Sequence, residues 1–188
     1  MFIKKRLNNV PAYKTQLISN QSKIQYLFES KGNIRIIKAI EYAPFKKQNG
    51  KIIYNLGFGD YDVANRTMLD DINSNNGDTR KVFSTVLNTV PLFFKTHKDD
   101  AIWVQGSDSS KRFKNDCKKI CKKGCDTNTD VCKNFNRRIK IYRYYINKNF
   151  IDLIKEYVIF GYTNGKTPTF VQYVPENEYI GILVFKKK

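Results

Sequence analysis

Histidine is almost missing from this chain: His97 is the only one among 188 residues. Acid–base catalysis by a pair of histidines is therefore excluded within one chain. A Ser-His-Asp triad would have to recruit His97 from the polar segment KTHKDD, where a surface position is expected. No P-loop pattern occurs, and Gly57-Phe58-Gly59 lacks both the third glycine and the following helix that a dinucleotide fingerprint needs. No run of about 18 apolar residues is present, so no membrane-spanning helix is expected. The start, MFIKKRLNNVPAYK, has cations but no apolar stretch behind them, unlike a secretory signal. A cytoplasmic location, where thiols stay reduced, is the expectation. Carboxylates are scarce too: 17 Asp and Glu face 34 Lys and Arg, a net charge of +17.

What is present is apolar and aromatic enough for a folded core, with 41% hydrophobic and 14% aromatic residues. The charge excess attracts nucleic acid or an anionic surface. It is also concentrated. Residues 1–99 carry 16 cations against 8 carboxylates, and residues 111–140 alone carry 11 against 3. About half of the excess thus sits in one short block, which also reads, more plainly, as a solvated lysine-rich loop.

Residues 1–20 are polar and patternless, an arm or a loosely held first strand. From Ser22 the chain reads as β structure. KIQYLFES alternates, Gly32-Asn33 marks a turn, and NIRIIKAIEYAPF runs to Pro44 and the QNGK turn, where Asn49-Gly50 signals a hairpin into KIIYNLGFGDYD. TMLDDINSNNGD reads as a loop whose last residue, Asp78, can cap a helix. In the next stretch Val82, Phe83, Val86, Leu87, Val90, Phe93 and Phe94 recur at helical spacing, with Pro91 expected to kink or shorten the helix. AIWVQG is a short buried strand, a helix carries Tyr142 and Ile146, and EYVIFGY and YIGILVF close the chain as strands. The order β-β-β-α-β-α-β-β predicts a single α+β domain over 1–188, with an antiparallel-rich sheet of about six strands and two main helices.

Where AIWV ends, Gly106 and Ser107 open a strand-to-helix corner. Free backbone N–H groups and a positive helix end make such a corner an anion site. Gly106, Ser107 and Ser109 would supply the cradle, and Lys111, Arg112, Arg138 and Arg143 the charge. The plainer reading is capping of a helix start, and Asp108 favours it, because a carboxylate there repels phosphate. Gly-Ser after a strand also opens nucleotidyltransferase sites, which need paired carboxylates for two metals. Asp60 and Asp62 precede the corner here, and Asp126 and Asp130 lie in the cysteine block. Asp60 and Asp62 otherwise read as a turn at a strand end, and Asp70 and Asp71 as loop residues.

YNLGFGD, SNNGDTRKVFSTV, VQGSDSSKR and IYRYYI together resemble a family of small bacterial proteins, largely from Bacteroidota, catalogued as a domain of unknown function. The likeness covers roughly residues 22–188 outside the cysteine block, and it implies a common α+β fold and no activity. The family's signature runs Gly-Ser, then an arginine, then a tyrosine four residues on. Here Arg138 stands four residues before Tyr142, and Arg112 does not precede a tyrosine at that spacing. The block from 113 to 136 therefore reads as an insertion.

That block carries all four cysteines, Cys117, Cys121, Cys125 and Cys132, as C-x3-C-x3-C-x6-C. Four thiolates this close suit a structural zinc. The lack of a C-x2-C pair leaves disulfides and reduced thiols open. Beyond it, RRIKIYRYYINKNF interleaves cations with aromatics. Ile139, Tyr142 and Ile146 read as core, whereas Arg143 and Tyr144 are expected to face outward. The leading expectation is a protein that binds nucleic acid or another polyanion. Lys118, Lys119, Lys122, Lys123 and Arg137 would neutralise phosphates and Tyr144 would stack on a base. An enzyme acting on nucleic acid or nucleotide, and a module that meets an acidic protein partner, are the alternatives.

Overall fold

The computed structural model describes residues 11–19, 23–69, 75–120, 132–165 and 167–188. Among them are nine strands, mostly antiparallel, and three α-helices. The strands are β1 (Gln16–Ser19), β2 (Ile24–Lys31), β3 (Arg35–Gln48), β4 (Lys51–Asp62), β5 (Thr67–Leu69), β6 (Ala101–Val104), β7 (Tyr157–Tyr162), β8 (Phe170–Gln172) and β9 (Gly181–Lys186). The helices are α1 (Thr79–Thr96), α2 (Lys111–Ile120) and α3 (Arg137–Glu156). The mixed α/β content agrees with the expectation, but the strand count exceeds the six expected. The additional strands β1, β5 and β8 have only four, three and three residues, and every residue of β1 and β8 is exposed. Strands without a buried face carry no apolar alternation to read.

The chain divides into two compact units, Met1–Trp103 with Lys155–Val158 and Val184–Lys188, and Val104–Ile154 with Ile159–Leu183. In the first, β1, β2, β3 and β4 form an antiparallel meander, β5 adds to β4, and β6 lies parallel to β4. Asn49 and Gly50, with φ of 51° and 77°, make the expected two-residue turn between β3 and β4. Two left-handed residues match the twist of the strands they join. Pro44 does not end β3, as the sequence suggested. The pairing with β4 shifts register between Pro44 and Lys46, and the strand continues to Gln48. A register shift absorbs the missing N–H of a proline.

α1 covers this sheet with the face its periodicity announced. Phe93 stacks on Tyr42 with centroids 4.6 Å apart, Phe83 meets Phe58 edge-on at 5.0 Å, and the Tyr42 and Thr89 hydroxyls bond at 2.8 Å. The helix continues past Pro91 to Thr96, with Val86, Thr89, Phe93 and Phe94 buried on both sides of it. That burial offsets the lost helical hydrogen bond. Asp78 stands at the N-cap but does not cap with its side chain. Its carboxylate accepts from Tyr13 Oη (2.7 Å) and Ser30 Oγ (2.6 Å). His97 stacks on Phe93 at 4.7 Å, and its Nδ1 lies 2.8 Å from Thr96 Oγ1.

In the second unit α3 buries Ile139 and Tyr142, as expected for its core face. Tyr173 is fully buried, 4.8 Å from the Tyr179 ring and 6.0 Å from Phe150. β8 pairs with β7 there. No described helix is long and apolar enough to cross a membrane.

Candidate functional site

The Gly-Ser corner turns through a 3₁₀ turn at Ser107–Ser109 into α2. Ser110 caps α2: its Oγ accepts from Phe113 N–H at 3.0 Å. Asp108 serves a second helix. Its Oδ2 accepts from Arg138 N–H (2.9 Å) and its carbonyl from Asn136 N–H (3.1 Å), which closes the start of α3. The carboxylate thus caps α3 from within the corner. A Cβ on Gly106 would lie 2.3 Å from Asp108 Oδ1 and 3.0 Å from Ser109 Oγ. Glycine is required there to admit the protein's own carboxylate. Gly106, Ser107 and Ser109 therefore surround a capped corner, as the plainer reading had it.

Asp108 is 6% exposed, and burial pushes its carboxyl above the usual carboxylate range, against the lowering effect of Arg138 N–H. Asp108 Oδ1, Ser109 Oγ and Asn136 Oδ1 are buried with no hydrogen-bond partner among the described residues. A proton or an amide N–H at Asp108 would supply a donor. Asp108→Ala is expected to cost about 1–3 kcal/mol, because the cap is lost and a buried N–H is left unpaired. Asp108→Asn keeps an acceptor and gains a donor, so it is expected to stay within about 1 kcal/mol of wild type. The sign with pH follows from the raised carboxyl. Its stabilising contribution is complete below the unfolded carboxyl pKa and is lost as pH rises through the folded one. The advantage of Asn over Asp should grow with pH in urea melts across the acid range. A pH-independent difference would refute this.

The exposed positive surface lies further along α3. Arg137, Lys140, Tyr144 and Lys148 are all exposed, and Lys140, Tyr144 and Lys148 recur every four residues. At 1.5 Å per residue, Lys140 and Lys148 stand about 12 Å apart along one face, with the aromatic ring between them. Tyr144 is 59% exposed and is braced edge-on by Tyr145 at 5.6 Å. The same face lines a groove of about 380 Å³ that also takes in Arg143, Asn147, Glu176 and Glu178.

Arg143 does not face outward as the sequence suggested: it is 8% exposed. Its Nη2 donates to Glu178 Oε1 at 2.8 Å, while its Nε has no hydrogen-bond partner among the described residues. The hydrogen bond to Arg143 holds the Glu178 carboxyl below its usual range, and the same bond raises the guanidinium. Both groups are therefore charged. Asn147 accepts from Tyr173 Oη (2.7 Å) and donates to Glu176 Oε1 (3.1 Å), with Glu176 held in left-handed backbone at φ 68°.

The other expected residues are scattered. Arg112 and Lys119 are exposed on α2, each 3.7 Å from Asp116, and Arg138 is half-buried beside Asp108. The side chains of Lys111 and Lys118, and all of Cys121, Lys122, Lys123 and Cys125, lie outside the described residues. Of the four cysteines expected to hold zinc, Cys117 accepts from Asn134 Nδ2 at 3.3 Å and Cys132 is half-buried. Among the described residues no three His, Cys, Asp or Glu side chains converge as a metal site. Asp60 pairs with Lys38, and Asp62 accepts from both the backbone and the side chain of Asn65. Asp70, Asp71, Asp126 and Asp130 lie outside the described residues.

Sequence reasoning passed over Asn147, Lys148, Glu176 and Glu178. The four-residue recurrence of Lys140, Tyr144 and Lys148 was a usable signal for Lys148. Nothing local marked the two glutamates.

The model of one protein family, described as a family of unknown function (DUF6934), matches residues 9–114. Of the motifs quoted above, YNLGFGD, SNNGDTRKVFSTV and VQGSDSSKR lie inside the match, and IYRYYI lies outside it. No curated protein and no solved structure matches the chain.

Proposed function

The chain belongs to DUF6934, a family of unknown function, and we propose that in this member the exposed face of α3 binds single-stranded nucleic acid. One observation carries the reading: an exposed tyrosine, Tyr144, stands one helical turn from a lysine on either side, Lys140 and Lys148. An aromatic face accepts any base by stacking, and flanking cations take the phosphates on both sides of it. Arg137 extends the cationic row by one turn, and Arg112 and Lys119 on α2 add to the field of the same unit. The net charge of +17 draws the strand in from a distance. The groove lies beyond the part of the chain that the family model matches, so the proposal concerns this chain and not the family.

Fluorescence anisotropy of a labelled uridine oligomer tests it. Affinity should fall steeply with salt, by a slope near −0.7 per phosphate contact (roughly). Tyr144→Ala should weaken binding by about 5- to 150-fold, the equivalent of one lost base stack. The Lys140→Ala/Lys148→Ala double variant should flatten the salt slope by about 1.4. No binding at low salt, a flat salt dependence, or full affinity in Tyr144→Ala would overturn the reading.

A further inference from the structure

Two carboxylates share the groove with the cations, and a site for phosphate alone gains nothing from them. At about 4 Å a carboxylate repels a phosphate charge by roughly 1 kcal/mol in water and more near a protein surface. We infer that these carboxylates serve the base and not the backbone: Glu178 reads the Watson–Crick edge of a guanine stacked on Tyr144. This rests on the nucleic-acid reading above and names the base it prefers.

An ionised carboxylate only accepts hydrogen bonds. Guanine offers two adjacent donors, N1–H and the N2 amino group, spaced for the two oxygens of one carboxylate. On adenine and cytosine the amino group sits beside an acceptor nitrogen. On uracil the single N3–H is flanked by two carbonyls. In both cases the second carboxylate oxygen would meet a lone pair. Unpaired bases of a single strand expose that edge for such contacts.

The structure holds Glu178 in the form this needs. Arg143, itself buried, ties Oε1 at 2.8 Å, while the Glu178 side chain as a whole is 81% exposed and keeps acceptor capacity for a ligand. Arg143, which ties Glu178, is the residue next to Tyr144 on α3, and Tyr144 and Glu178 line the same groove. Glu176 is tied in the same way by Asn147, one turn further on, and supplies a second acceptor at the rim. The groove, at about 380 Å³, is open to solvent along the face that carries Tyr144. A guanidinium from an arginine-bearing peptide presents a similar donor pair. Lys140, Arg143 and Lys148 around the same groove repel it, and guanine carries no charge.

The test uses the full chain and four oligomers of one length: uridine only, and uridine with two central guanines, inosines or adenines. Inosine keeps N1–H and lacks the amino group. The guanine oligomer should bind about tenfold more tightly than the uridine or adenine oligomer, with inosine in between. Glu178→Gln should bring the guanine-to-uridine ratio close to one. The ratio is internal to each variant, so a partly unfolded variant lowers both affinities without moving it. Equal binding of all four oligomers, still sensitive to Tyr144→Ala, would overturn the guanine inference and leave nucleic-acid binding standing. A guanine preference that survives in Glu178→Gln would overturn it as well. No binding to any oligomer, or tighter binding to an arginine-rich peptide, would remove the reading on which it rests.

Discussion

Asp60→Ala is expected to destabilise the protein by about 3–5 kcal/mol, read as a drop in urea midpoint, because it strips a buried ammonium of its carboxylate. Lys38 and Asp60 face each other across β3 and β4 and form an ion pair with side-chain exposures of 7% and 15%. Phe28 is the partner of Lys38 on the other side, in β2, and is 3% exposed. A charge taken this far out of water is stabilised by a counter-charge beside it. The net worth of the pair is a separate matter, since two well-packed apolar residues often serve as well. The double variant Lys38→Met/Asp60→Leu should therefore recover most of what Asp60→Ala loses. A loss below about 1 kcal/mol in Asp60→Ala, or no recovery in the double variant, would show that the pair is already well solvated. The same substitution bears on the enzyme alternative, where Asp60 would hold a metal. The pairing with Lys38 gives it a structural task.

Gly32→Ala should be at least as damaging. A Cβ there would sit 1.8 Å from the carbonyl oxygen of Asn76 and 2.8 Å from its carbonyl carbon. Backbone cannot yield as a flexible side chain can, and Asn76 is held from several directions. Its carbonyl accepts from Asn33 N–H at 2.9 Å. Its side chain accepts from Ile34 N–H and donates to Ser30 Oγ and the Ile34 carbonyl. Ser30 in turn donates to Asp78, which also accepts from Tyr13. Separating the β2–β3 turn from the loop before α1 would leave several buried groups unpaired, at about 1–3 kcal/mol each. An expected loss of roughly 4 kcal/mol or more follows, enough to unfold a marginal domain. Gly50→Ala is the control. Nothing lies within 4 Å of a Cβ there, so only the left-handed backbone at φ 77° opposes it, at about 1–2 kcal/mol. Equal thermal melts for the two variants would mean that the Asn76 loop moves freely with the turn.

Some of this was legible in the residues. The β3–β4 hairpin could be read because Asn49-Gly50 carries its own backbone preference. The buried face of α1 could be read because its apolar positions repeat at helical spacing; of the two outcomes expected at Pro91, a kink or an early end, the early end does not occur. The family resemblance rested on motifs that mark tight places. In SNNGDTRKVFSTV, Asn76 and Asp78 form the polar lock on the β2–β3 turn. The same motif concealed its use, because an aspartate before a helix reads as a cap, and the cap bond is local whereas the bonds Asp78 makes reach back 48 and 65 residues. Likewise Arg143 was placed outside by its charge, since the carboxylate it bonds when buried, Glu178, lies 35 residues on.

From the residues alone come the excess of positive charge, the antiparallel strands with their tight turn, the amphipathic α1 and an outward-facing tyrosine in a stretch that interleaves cations with aromatics. All of these depend on composition or on neighbours a few positions apart. Only the tertiary structure decided where the carboxylates go. It sends Asp108 to the start of a helix 30 residues later and brings Glu178 to Arg143. A buried charge takes whichever partner chain closure brings to it, and local pattern holds no record of that choice.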